Sequence, residues 1–107
     1  MNNGSPIAVE CLIARSGFSS ERIFTITLPD GSRHVGASPV DYFRDFNWKP
    51  LDAETPARDE EIPGLLTARV LQRDNDKRQI FVPGGDVLWV PESILKSKEN
   101  SDVPAQS

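Results

Sequence analysis

Apolar residues recur at every second position along much of this chain, the period of a β-strand with one buried face. Over 7–14, Ile7, Val9, Cys11 and Ile13 alternate with Ala8, Glu10, Leu12 and Ala14, which predicts a strand carrying Glu10 on its wetter side. Arg15 to Glu21 is a polar loop, and its single aromatic, Phe18, is expected to fold over the core edge. Ile23 to Leu28 sets Phe24, Ile26 and Leu28 on one face and Thr25 and Thr27 on the other. Such β-branched and aromatic residues suit a pleated, half-buried surface. Pro29-Asp30-Gly31-Ser32 is turn chemistry, because Pro presets φ and Gly accepts the positive φ of a tight reversal. Arg33 to Ala37 returns as the second strand of a hairpin.

The pattern then changes. Ser38-Pro39-Val40-Asp41 has the composition of a helix start, with a capping Ser, a Pro at the first helical position and an acid three residues after the cap. A turn or two of helix is expected through Phe46. Leu51 to Gly64 holds Pro56, Pro63 and the acids Asp52, Glu54, Asp59, Glu60 and Glu61, and reads as a surface loop. The rest is a meander: strands over 66–72 and 77–82, turned by Arg73-Asp74-Asn75-Asp76, then Pro83-Gly84-Gly85-Asp86 and a closing strand over 87–90. Pro91 cannot donate to a ladder, so pairing is expected to stop there, with Glu92 to Leu95 forming one helical turn that plugs the barrel end. These elements predict a mainly β fold, a small antiparallel barrel of five to six strands with a short helical insert. One domain over 7–95 is expected, with an insert at 38–64, a flexible N-terminus over 1–6 and a disordered polar tail over 96–107.

Composition narrows the function classes. With 37% hydrophobic and 26% charged residues the chain is neither disordered nor membrane-embedded in character, and no apolar run approaches the roughly 20 residues of a spanning helix. Its N-terminus lacks the basic start and apolar stretch of a secretory signal. The lone cysteine, Cys11, forms no internal disulfide and sits at an apolar strand position, which points to a reducing, cytoplasmic setting and a thiol that acts as a small hydrophobe. A net charge of −4 argues against phosphate-backbone binding, which runs on Lys and Arg.

Trp89-Val90-Pro91-Glu92-Ser93-Ile94-Leu95, following two tight hairpins, resembles the strand, proline and single helical turn that finish SH3-like barrels. The resemblance covers about sixty residues loosely and these seven specifically. It implies a small barrel of the kind that serves as an interaction or assembly module, with Pro91 in the place of the family's groove proline. The groove is not that of a typical polyproline-binding domain. Ile94 stands where a tyrosine is expected, the aromatic-rich start is missing over 7–14, and the first loop has Glu21 as its only acid.

Four of the eight aromatics fall in seven residues: Tyr42, Phe43, Phe46 and Trp48. On a helix Phe43 and Phe46 would share a face and lid the barrel, with Tyr42, Phe46 and Trp48 as partner contacts and Trp89 and Pro91 as an alternative groove. Arg33, Arg69, Arg73, Lys77 and Arg78 define a second reading, a basic hairpin for nucleic acid, although Asp74 and Asp76 share its turn. The acidic loop lacks the alternating spacing and central Gly of a calcium site. His34 is the only histidine and is expected on an exposed strand; one His and one Cys at unmatched spacing assemble neither a nucleophile–base pair nor a metal site. The sequence therefore predicts a non-catalytic, cofactor-free module whose partner is another protein, with a nucleic-acid-associated barrel as the alternative and no membrane role.

Overall fold

A computed structural model describes residues 6–98 of the chain. Eight strands lie in chain order: β1 Ile7–Arg15, β2 Glu21–Thr27, β3 Arg33–Pro39, β4 Phe43–Arg44, β5 Glu61–Asp74, β6 Lys77–Val82, β7 Asp86–Pro91 and β8 Leu95–Ser97. Single 3-10 turns lie at Val40–Tyr42 and Glu92–Ile94. The fold is mainly β, as the alternation predicts. Every pairing is antiparallel, and the main path runs β3-β2-β1-β5-β6-β7, with β4 beside β5 and β8 beside β1.

The sheet curls because its two central strands change partners along their length. β1 pairs β8 over Ile7–Val9 and β2 over Leu12–Arg15, while β5 runs along its other side from Ile7 to Ala14. β5 in turn leaves β1 after Ala68 and takes up β6 from Arg69, with a bulge between Val70 and Gln72. A bulge adds a residue to one strand only and so bends it. The inward faces bury Val9, Cys11, Ile13, Phe24, Ile26, Phe43, Leu66, Ile80, Val82, Leu88 and Val90 in one cluster. Burying each large member contributes roughly 1.5–3 kcal/mol.

Several expectations are corrected. No helix follows Ser38: Ser38 and Pro39 end β3, a single 3-10 turn follows, and β4 begins at Phe43. The Ser38 hydroxyl does not cap that turn but donates across the molecule to the Pro83 carbonyl, so a tertiary hydrogen bond displaces the local one. Phe43 is buried in β4 while Phe46 is half exposed, because the chain leaves the strand after Arg44 and carries Phe46 in the turn that the Trp48 N–H closes onto the Asp45 carbonyl, where a helix would have aligned the two rings. Phe18 stands 70% exposed instead of covering the core. The loop expected to run to Gly64 ends at Glu60, since Glu61–Gly64 already pair with β1. The expected tail begins too early: Lys96 and Ser97 belong to β8, and the Lys98 amide donates to the Pro6 carbonyl. The remaining tail over 99–107, and residues 1–5, lie outside the described residues.

The largest correction concerns closure. β7 does not close the sheet; β3 and β7 are its two edges, and the domain is a curled half-barrel with a seam between them. At one end the seam is stitched by side chains. His34 Nε2 lies 2.9 Å from Asp86 Oδ2, and Ser38 bonds Pro83. Two glycines permit the approach. A Cβ on Gly36 would stand 2.7 Å from the Phe24 ring and 3.0 Å from Asp86 Oδ2, and one on Gly84, whose φ is +108°, would meet the Ala37 carbonyl at 3.0 Å. His34 is thus a partly buried seam residue, not a free surface histidine.

Candidate functional site

Toward its other end the seam holds a hollow. The β2–β3 turn, Leu28-Pro29-Asp30, forms one wall of a cleft of about 650 Å³, and Val87, Leu88 and Trp89 of β7 form the other. The hollow is wide open to solvent. Leu88 points inward to the core and is buried, whereas Val87 is 49% exposed and Trp89 partly exposed. Strand alternation makes this arrangement, because consecutive residues face opposite sides of the sheet. Asp74 and Lys77, which flank the β5–β6 turn and face each other in register, stand beside the cleft.

Charge in the cleft is set locally. Asp30 Oδ1 accepts from the Ser32 amide at 2.9 Å and the Ser32 hydroxyl at 2.6 Å. Those bonds, side-chain one first, hold the Asp30 carboxyl below its ordinary pKa and keep it ionised. With Asp74 and Lys77, the cleft carries two carboxylates against one ammonium.

The outer face of β6 and β7 extends this surface. Phe81 pairs Val87, Gln79 pairs Trp89, and Lys77 pairs Pro91 along it, with Phe81 38% exposed. Trp89 and Pro91, predicted as an alternative groove, are therefore neighbours on one sheet face. Tyr42 and Phe46, at 45% and 50% exposure, occupy a different region. Phe46 borders a smaller hollow of about 210 Å³ with Leu12, Pro63 and Ile94. Trp48 is partly buried in a tight turn at φ +65°, its amide donating to the Asp45 carbonyl.

The basic residues do not form one stripe. Arg69 faces outward with Phe81, Arg73 lies opposite Arg78 on the reverse face, and Arg33 begins β3. Arg78 is held by Glu92 at 3.0 Å and by the Asn75 and Lys77 carbonyls. Among the described residues no group of three or more His, Cys, Asp or Glu is placed to hold a metal ion. Cys11 is buried, and desolvation, aided by the Glu10 charge, pushes its thiol pKa up to about 12.

One structural residue escaped the sequence reading. Arg22 is fully buried and donates to the carbonyls of Ser19 at 2.8 Å, Glu21 at 2.9 Å and Thr55 at 3.0 Å, with longer contacts to Asp52 and Ala53. Its neighbour in register, Arg15, reaches the Ala53 and Pro56 carbonyls. Together they pin the acidic loop to the curled sheet. Burial, then the Arg15 charge, lowers the Arg22 pKa, while Asp52 opposes them. The signal was legible: Arg22 shares phase with Phe24 and Ile26, the inward set of β2. The acids of this loop close local turns instead of forming a site, with Asp52 Oδ1 accepting from Glu54 and Thr55 and Glu60 from Ala57.

No protein-family model matches this chain, and no curated protein or solved structure matches it either.

Proposed function

We propose that this chain is an SH3-like, non-catalytic protein-interaction module that takes a protein partner at the open seam. The carrying observation is the cleft itself, where Trp89 and Val87 present apolar surface opposite Leu28 and Pro29 with charges beside it. Aromatic side chains are enriched among the residues that carry the binding energy of protein contacts. The SH3-like assignment draws support from the ending of the domain, where β7 runs into Pro91, one 3-10 turn and a last strand that returns to β1. A lone buried thiol suits a cytoplasmic setting.

The aromatic segment becomes the secondary surface, with Tyr42 and Phe46 outward and Trp48 half inside. The basic hairpin is the weaker reading for nucleic acid, since Arg78 is already committed to Glu92 and the other cations face different ways. Affinity capture from host lysate, with and without nuclease, tests the proposal with wild type, Trp89→Ser and Phe46→Ser, each variant first checked for an unchanged circular dichroism spectrum. A protein retained after nuclease and lost with Trp89→Ser is the expected result. Loss with Phe46→Ser alone would move the site to the aromatic segment. Loss with nuclease would overturn the proposal in favour of nucleic acid.

A further inference from the structure

The cleft is bounded by a strand edge, and that determines what fits it. Val87, Leu88 and Trp89 are consecutive, so their side chains point to alternate faces, yet all three line the same hollow. A hollow touching successive residues of one strand runs along the strand's edge and not across either face. β7 pairs β6 on its other side, and among the described residues no backbone hydrogen bond joins it to β3. Its seam-facing amides and carbonyls over 87–90 therefore have no strand to bond, and an unpaired edge is a template for another chain.

We propose that an extended peptide of a partner protein, alternating apolar with basic residues, binds by adding a strand antiparallel to β7 within the seam. This rests on the reading of the chain as an interaction module and specifies how it recognises its partner. Four edge residues at about 3.3 Å each offer roughly 13 Å of ladder. Its apolar side chains share one face and meet Leu28 and Leu88, while its basic side chains share the other face, beside Trp89, as alternate-residue recognition requires. Basic side chains answer the two carboxylates, Asp30 and Asp74, which exceed Lys77 in the cleft by one charge. The same charge argues against a second copy as occupant, because this chain is itself acidic at −4 and would bring its own carboxylates to the seam. Closure at the far end by His34–Asp86 and Ser38–Pro83 sets a stop for the incoming strand.

The test uses the full chain and capped hexapeptides alternating valine with lysine, the same peptides with glutamate for lysine, and proline-rich heptapeptides. Calorimetry measures binding, and residue-resolved amide exchange by NMR locates it. The expected result is binding of the lysine peptide with exchange slowed over 87–90, weakened about tenfold by glutamate for lysine. Methylating the edge-facing peptide amides weakens it about fivefold per site. Asp74→Lys, an exposed position, reverses the charge preference without disturbing the core. Binding of the proline-rich peptide with no protection of β7 would overturn strand addition while leaving the interaction module standing. Failure of every peptide overturns the inference, and the lysate capture then decides separately whether the module reading falls too. A peptide-free dimer with β7 protected would replace the partner by a second copy.

Discussion

Replacing Arg22 with methionine removes the guanidinium while keeping an unbranched apolar stem in the same space. The guanidinium is buried to 0% exposure and makes three bonds of 2.8–3.0 Å to the Ser19, Glu21 and Thr55 carbonyls. Hydrogen bonds from a charged donor contribute about 1.5–3 kcal/mol each, which bounds the gross loss at about 4.5–9 kcal/mol. Two effects reduce it. Desolvating a cation is costly, as the lowered Arg22 pKa reflects, and methionine avoids that cost. The freed carbonyls belong partly to surface loops that can turn toward water. We expect a net loss of about 3 kcal/mol, which for a domain of this size lowers Tm by about 12–20 °C. The effect has a local signature, because the clamped segment contains the exposed Arg58. Trypsin should cut after Arg58 in Arg22→Met well before it cuts the wild type there. Arg22→Lys, which keeps the charge but not the planar fork, should fall between the two. A Tm within about 2 °C of wild type, with cleavage at Arg58 unchanged, would show that the buried arginine does not hold the loop.

Cys11 should resist thiol reagents at pH 8 in the folded protein and react on denaturation, because burial keeps its proton to about pH 12. The native state holds that proton while an unfolded thiol releases it near pH 9.0, so wild-type stability should fall as pH rises between about 9 and 12. Urea titrations of Cys11→Ala across that window should lack this component of the slope. Gly36→Ala forces a methyl to 2.7 Å from the Phe24 ring and should cost about 1–3 kcal/mol in chemical denaturation. Ser38→Ala strips the bond to Pro83 from a buried position and should cost about 1–2 kcal/mol, whereas Asp86→Asn, in a partly exposed pair, should cost under about 1 kcal/mol. An Asp86 effect larger than the Ser38 effect would invert the assignment of the seam's principal stitch.

Much of the architecture was legible because alternation is a local property. Phe24 and Ile26, Ile80 and Val82, and Leu88 and Val90 each sit two apart and all face inward, as their spacing predicts. The turns at Gly31, Asn75 and Gly84-Gly85 fall where the chain offers positive φ. The segment after Ser38 misled because its capping composition is real but weak. A bond from Ser38 to Pro83, 45 residues away, and pairing of Phe43 with Leu66 outweigh one turn of helix. Trp89 was singled out by its place after the hairpins, but the Leu28-Pro29 wall that shares its hollow was not, and Pro91 lies outside that hollow's lining.

Sequence alone determined the mainly β class, the inward set of most strands, the apolar strand position of Cys11 and the acidic balance that weighs against phosphate binding. These follow from period, composition and charge, which need no knowledge of distant neighbours. Only the tertiary structure decided that β3 and β7 remain edges, that Arg22 bonds Thr55 33 residues away, and that Leu28 faces Trp89 across an open seam. Each depends on how far the sheet curls before its ends meet. That curl arises where β1 and β5 exchange partners, a property of the assembled strands and of no single stretch of chain.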